Sequence, residues 1–289
     1  MDTDTATPKI SFLASYIQAR YGTNPDALRS LLTTQSGDFQ AQVIELGGLT
    51  YFAPVSSLAD SYIAKNIRKP QRYLHIVSTL AGLSGPGVML DIGSNIGLTS
   101  IPRAVLDLFT HVHAFEPEPR NFTCLQAAVH ANNVGDRMTA WNLAVGERCS
   151  RGSLRLRSGM ARHDMTHSDA NDTIPCEVTS IDAWLDRVNL PATEVRFIKV
   201  DTQGFEVNVL RGATKILGLG KAVWQIEAAP ALLRLFGVSQ DSFVSVLKGH
   251  FNLYCDIENI RLGFRPIDEL QPGLGLSDRN FTDLILFRR

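Results

Sequence analysis

Three acidic residues stand at the ends of short apolar runs. "VMLDIGSNIGLTS", residues 88–100, carries Asp91 and continues into Gly93, Ser94, Asn95 and Gly97. "HAFEPEP" ends in Glu116 and Pro117, and "RFIKVDTQGFE" ends at Asp201, with Lys199 on the same strand face. Open parallel sheets bind ligands at the carboxyl ends of their strands, so acids at such tips face a ligand rather than the core. Gly93 and Gly97 permit a tight turn and a close approach to the main chain. A helix opening near Gly97 or Leu98 would add unpaired N–H groups suited to a phosphate or a carboxylate.

The spacing discriminates between ligands. A dinucleotide site uses G-x-G-x-x-G, whereas this chain has G-x-x-x-G behind an acid. Asp91 would repel a pyrophosphate but suits a ligand carrying positive charge. S-adenosylmethionine (SAM) meets each requirement. It has an ammonium and a sulfonium, a carboxylate for backbone N–H groups, and a ribose whose two hydroxyls Glu116 can accept. A nicotinamide-dependent dehydrogenase is disfavoured by the missing third glycine.

The elements that must hold these tips follow from the hydrophobic pattern. Strands are expected at 88–91, 111–115, 138–143, 195–200, 222–226, 251–257 and 284–287, with amphipathic segments between most of them. Such alternation implies crossover connections and a mainly parallel sheet covered on both faces. Between the third and fourth strands the alternation stops. "SLRLR" and "CEVTSI" bracket a long polar loop, read as an inserted hairpin or edge pair over about residues 151–180. Residues 158–173 are expected to be mobile and to close over an acceptor. Ahead of the sheet, residues 10–32 and 57–83 read as helical, with a β-hairpin around Gly47–Gly48. Residues 1–85 thus form a helical and hairpin extension that caps the site or makes subunit contacts, as in a homodimer. Residues 86–289 form the SAM-binding domain.

Composition sets outer bounds. The 289 residues carry 28 Lys and Arg against 29 Asp and Glu, so the basic excess of a general nucleic-acid binder is missing. No apolar run is long enough to span a membrane, and "MDTDTATPKI" is too polar and acidic for a signal peptide. Cys124, Cys149, Cys176 and Cys255 lack metal-knuckle or redox-pair spacing. They read as free thiols of a reducing compartment, which points to the cytoplasm.

"MLDIGSNIG", "HAFEPEPRN", "NLAVG", "SIDAWL", "RFIKVDTQGFEVNVLRGA" and "QIEAAP" occur in that order. Over about residues 75–289 the sequence resembles the FkbM family of class I SAM-dependent methyltransferases. The family signature of Lys, a hydrophobic residue, Asp-x-x-Gly-x-Glu matches Lys199, Asp201, Gly204 and Glu206. The family pattern usually has Glu where this chain has Gln203, and Ala where it has Ser94. The resemblance implies an α/β Rossmann-like fold with a seven-stranded, mainly parallel sheet and helices on both faces. It also implies methylation of a hydroxyl on a sugar, glycolipid, polyketide or similar small molecule. By the same resemblance Asp91, Gly93, Ser94, Asn95 and Gly97 surround the methionine part of SAM. Glu116 holds the ribose, Pro117 shapes the turn beneath the adenine, and Asn142, Leu143 and Ala144 flank the ring. Asp201 lies beside the sulfonium.

Methyl transfer from a sulfonium is mainly a matter of in-line positioning, but an alcohol attacks poorly while it keeps its proton. Candidates for the base are Asp201, Glu227, His163 and His167, with histidine the better matched in ordinary pKa. Asp201 can instead orient the acceptor or hold the SAM amine, and Lys199 can be a structural ion-pair partner. Asp201, Glu227 and a loop histidine offer ligands to a divalent metal, but no tight ligand motif is present and no metal is expected. Amino-methylating DNA enzymes usually carry an Asn/Asp-Pro-Pro-aromatic motif where this chain reads "VDTQGF". A protein acceptor, or SAM binding without catalysis, remains as an alternative.

Overall fold

The computed structural model describes residues 39, 41–54, 84–157, 160–163, 173–272 and 281–288. Side chains within 155–163 fall outside the description. The expected helices at 10–32 and 57–83, most of the 158–173 loop and His167 also lie outside the described residues.

The chain order is Ala41–Leu46 (β1), Leu49–Pro54 (β2), Val88–Ile92 (β3), Ser100–Val105 (α1), His111–Phe115 (β4), Pro119–Ala131 (α2) and Met138–Trp141 (β5). Next come Ala144–Val145 (β6), Ser150–Arg157 (β7), Met160–His163 (β8), Thr173–Thr179 (β9), Ile181–Val188 (α3) and Val195–Val200 (β10). The remainder is Glu206–Arg211 (α4), Thr214–Leu219 (α5), Val223–Ala228 (β11), Pro230–Leu233 (α6), Gln240–His250 (α7), Leu253–Asp256 (β12), Arg265–Pro266 (β13) and Thr282–Phe287 (β14).

The main sheet has the order β13-β12-β14-β11-β10-β3-β4-β5. β5, β4, β3, β10 and β11 run parallel, and β14 lies antiparallel between β11 and β12. The chain leaves β3 towards β4 and later returns to its other side as β10. The switch point is therefore between β3 and β10, where a ligand crevice belongs. All seven expected strands are present. An eighth, β13, was not anticipated. It is only two residues long, contains a proline and, among the described residues, pairs only with β12. Such a strand has no apolar signal and is tolerated only at an edge.

Pleat alternation divides the core into two layers. Met89, Phe197, Val223 and Ile285 pack in one layer. Leu90, Ile198, Trp224 and Leu286 pack in the other. On the first face the apolar rows end in polar ones: Asp91, Lys199 and Gln225 are register partners across β3, β10 and β11. That row leads into the site.

The hairpin β1–β2 forms as expected and is fastened to α2. Thr50 N donates to Asn132 Oδ1 at 3.0 Å, and Asn132 Nδ2 donates to Thr50 O at 2.7 Å. Buried Tyr51 and Phe52 join the first core layer. The insertion is more than a hairpin. β7 pairs antiparallel with both β8 and β9, and β6 runs parallel to β9, giving the order β6-β9-β7-β8. The strands that contain "SLRLR" and "CEVTSI" do pair, with residues 153–155 against 173–175 and 150–152 against 176–178, but "MARH" is too short and too polar to announce a strand. Leu154 and Val178 form part of the covered face of this sheet.

Candidate active site

The site is built at the switch point. Asp91 is fully buried near the end of β3. Its Oδ2 accepts from Thr99 Oγ1 at 3.0 Å, and its Oδ1 lies 3.6 Å from Lys199 Nζ, with no hydrogen-bond partner of its own. Lys199 Nζ donates to Asp201 Oδ2 at 3.1 Å. The cation that Asp91 faces in this structure is therefore Lys199. Burial by itself lowers the Lys199 ammonium, but Asp201, Asp91 and Asp283 outweigh it and hold the group above its ordinary value.

The glycines answer to the protein's own backbone. Gly93 has φ of 80°, and a Cβ there would stand 1.9 Å from the Asp201 carbonyl oxygen. Gly93 thus allows the loops after β3 and β10 to touch. A Cβ on Gly97 would meet Leu125 and Ile101 side chains at 2.7 and 2.8 Å, so Gly97 lets the turn pack against α1 and α2. Asn95 turns through the left-handed region at φ of 53° and is exposed, whereas Ser94 is buried. α1 begins at Ser100, slightly later than expected, because Gly97 N first closes a turn onto Ser94 O at 2.9 Å.

Glu116 directly follows β4 as a buried carboxylate. Its Oε2 accepts from Asn95 N at 2.8 Å and its Oε1 from Glu118 N at 2.9 Å. Burial lifts its carboxyl to about 7 against the pull of those backbone donors. Asn142 Nδ2 donates to the carbonyls of Glu116 and Pro117 at 2.9 and 3.1 Å, locking the turn after β4 to the end of β5. A cleft opens beside these tips, lined by Gly93, Pro117, Leu143, Ala144, Thr202 and Phe205 among others. Pro117 and Thr202 directly follow Glu116 and Asp201, and Gly93 lies two residues beyond Asp91.

Asp201 is half-buried; burial raises its carboxyl, but Lys199 and the Gln203 hydrogen bond prevail and hold it below its ordinary value. Gln203 has φ of 59° and turns its amide back over the tip. Its Nε2 donates to Asp201 Oδ1 at 3.0 Å and to Glu227 Oε2 at 3.2 Å. Glu227 is pushed well above the carboxylate range by burial, then by Asp201, Glu206 and Asp283. Glu206 Oε1 accepts from Thr202 N, Thr202 Oγ1 and Gly204 N at 2.9, 3.0 and 3.1 Å. It therefore ties the loop between β10 and α4 in addition to suiting the helix dipole; burial lifts its carboxyl to about 7.

Of the residues singled out from sequence, Asp91, Lys199, Asp201, Gln203 and Glu227 come together in one chain of contacts. Pro117, Leu143 and Ala144 line the cleft, while Glu116 and Asn142 stand behind it, Asn142 holding the turn that carries Glu116 and Pro117. His163 ends β8 with its side chain outside the description, and His167 lies outside the described residues. Sequence reasoning missed Thr99 and a second buried layer. In that layer Arg103 Nη2 donates to Gln225 Oε1 at 3.1 Å, and Gln225 Nε2 donates to Asp283 Oδ2 at 2.8 Å. The signal was available: "VWQIEA" and "TDLILF" each carry a polar residue inside an apolar strand. Among the described residues no group of three or more His, Cys, Asp or Glu is arranged to hold a metal ion. No helix among them is long and apolar enough to cross a membrane.

This sheet order, with its antiparallel β14 and a cleft at the β3–β10 switch point, is a Rossmann-like methyltransferase fold. Residues 91–240 match the Methyltransferase FkbM domain. The chain belongs to the FkbM methyltransferase family. The hexuronic acid methyltransferase AglP of Haloferax volcanii is 25% identical over 192 residues, which cover 66% of this chain and 76% of AglP. Among solved structures, methyltransferase FkbM from Methylobacillus flagellatus KT is similar with a TM-score of 0.41 and 19% identity. That match covers 70% of this chain and 43% of the Methylobacillus protein, so this chain spans less than half of its length. TYW2 of Pyrococcus horikoshii, solved in complex with MeSAdo, has a TM-score of 0.41 and 15% identity, covering 88% of this chain and 74% of its own.

Proposed function

We propose that this chain is a SAM-dependent O-methyltransferase whose acceptor is a small molecule or a glycan. The observation that carries this reading is the convergence of Asp91, Glu116 and Asp201 beside one cleft at the switch point. The donor set fits SAM. Asp91 acts at this end of the site through Lys199, whose ammonium lies 3.6 Å from its Oδ1. The oxygens of Glu116 take one backbone N–H each, so each retains a lone pair for a ribose hydroxyl. Leu143, Ala144 and Phe115 supply apolar walls for a flat base.

When bound, SAM supplies a methyl group already attached to a good leaving group. The chain's own work is then to align the acceptor and to manage one proton. Asp201 is the best placed acid for this, because Lys199 and Gln203 keep it charged while part of it stays exposed. The activity carried in the name of AglP supports a sugar acid or a related glycan as acceptor class.

Calorimetric titration with SAM and with NAD is the first test. SAM should bind and NAD should not. Glu116→Ala should weaken SAM binding by about 1.5–3 kcal/mol, the usual worth of hydrogen bonds to a charged group. Unchanged SAM affinity in both Asp91→Ala and Glu116→Ala would refute the site. S-adenosylhomocysteine production across neutral sugars, uronic acids and small peptides would then identify the acceptor class and separate catalysis from binding alone.

A further inference from the structure

Asp201 and Glu227 stand one step beyond the Val200–Ile226 register pair, at the tips of neighbouring parallel strands. Their side chains leave the same face of the sheet as Lys199 and Gln225. The two carboxyl groups are neighbours across a single amide nitrogen. Above them one amide spans the gap: Gln203 Nε2 reaches Asp201 Oδ1 and Glu227 Oε2 at 3.0 and 3.2 Å. An amide NH2 has two hydrogens, one for each acid.

The surrounding charges leave no room for two full negative charges here. Lys199 is engaged with Asp91 and Asp201. The other charged groups facing Glu227 among the described residues are acids: Glu206 on α4, and Asp283, its register partner on β14. Two neighbouring carboxyl groups bridged by a neutral amide, among further acids, cannot both ionise cheaply. The natural arrangement is one proton for the pair, lying on the more deeply buried Glu227.

We propose that Asp201 and Glu227 act as one acid–base pair holding a single proton, with Asp201 the charged member and Gln203 the residue that positions them. The catalytic use of the pair rests on the methyl-transfer reading; the pairing itself does not. In that reaction the proton lost by the acceptor oxygen passes to Asp201. Both carboxyls are then neutral until the proton is returned to water. Glu227 serves as the neutral partner that keeps the negative charge on Asp201, and not as the base. A glutamate at 203 would have no hydrogen to give either acid at neutral pH, so glutamine is the residue type that this bridge needs.

Infrared spectroscopy of the protein without cofactor or acceptor tests the pair directly. The difference between wild type and Glu227→Gln at pH 7 should contain the C=O stretch of one neutral carboxyl. Gln203→Met removes both bridging hydrogens and should move the pH midpoint of that band upward by about one unit, since hydrogen bonds to the ionised form are lost. Gln203→Asn suits the left-handed backbone and should shift the midpoint in the same direction, because its shorter amide cannot span the two acids. No neutral-carboxyl difference at pH 7 overturns the proposal. So does an unmoved midpoint in both Gln203 variants when their circular dichroism matches wild type. Neither spectrum depends on SAM, so a failure to bind SAM would refute the functional reading alone.

Discussion

Replacing Lys199 with methionine should be among the most damaging single changes in this protein, and its cost can be worked from the geometry. Lys199 is 5% exposed, and its Nζ lies 3.1 Å from Asp201 and 3.6 Å from Asp91. At an effective dielectric of about 20, each contact is worth roughly 5 kcal/mol before desolvation is subtracted. Asp201 keeps partial access to water, which would replace most of its lost partner. Asp91 is fully buried and its Oδ1 has no hydrogen bond, so its charge would keep only the Thr99 hydroxyl and the more distant Arg103 guanidinium. Stranding one member of a buried pair typically costs about 3–5 kcal/mol, and that is the expected loss in urea unfolding. The loss should show as a lower midpoint at constant m-value. Because the folded state raises the Lys199 ammonium, its stabilisation is fully present below the unfolded lysine value. It is lost only as pH rises through the still higher folded value, so the deficit of the variant should persist across the neutral range. The companion variant Asp91→Asn with Lys199→Met removes both charges and should be more stable than the sum of the single losses predicts. A Lys199→Met cost below about 1 kcal/mol, or strict additivity in the double variant, would refute the reasoning.

Other outcomes follow from individual contacts. Gly93→Ala sets a methyl group 1.9 Å from the Asp201 carbonyl oxygen at a φ of 80°, so it should destabilise the fold and abolish SAM binding even if the chain still folds. A normal thermal midpoint with normal calorimetry would contradict that. Glu206→Gln preserves the acceptor oxygen that ties the β10–α4 loop but removes a carboxyl lifted to about 7. Wild-type stability should lose the Glu206 contribution as pH rises from the ordinary carboxylate range through about 7, and Glu206→Gln should flatten that slope in pH-dependent urea unfolding. Asp201→Asn keeps shape but loses charge, and turnover with an identified acceptor should fall at least about tenfold while SAM affinity changes little. Wild-type turnover in that variant would make Asp201 structural.

The strand–helix alternation from Val88 onward was legible because a strand covered on both faces has to be mostly apolar, and Val88–Ile92, with one acid, and Val195–Val200, with two basic residues, still read as apolar runs. Asp91, Glu116 and Asp201 stood out for the same reason: an acid in or at the end of an apolar run must be partnered or functional. Their grouping beside one cleft also followed, since parallel strands bring their carboxyl ends to one edge. What the acids face was a tertiary decision. Register set Lys199 against Asp91, and the crossing of two loops made Gly93 necessary to the backbone as well as to any ligand. The Gln203 bridge depends on a left-handed turn and on β10 and β11 being neighbours, which no local pattern encodes. Arg103, Gln225 and Asp283 lie far apart along the chain and become one layer only when β11 pairs with β14 and Arg103 of α1 reaches the face that carries Gln225 and Asp283. β8 and β13 are too short and too polar to have any propensity of their own; they are strands because a longer neighbour offers them hydrogen bonds.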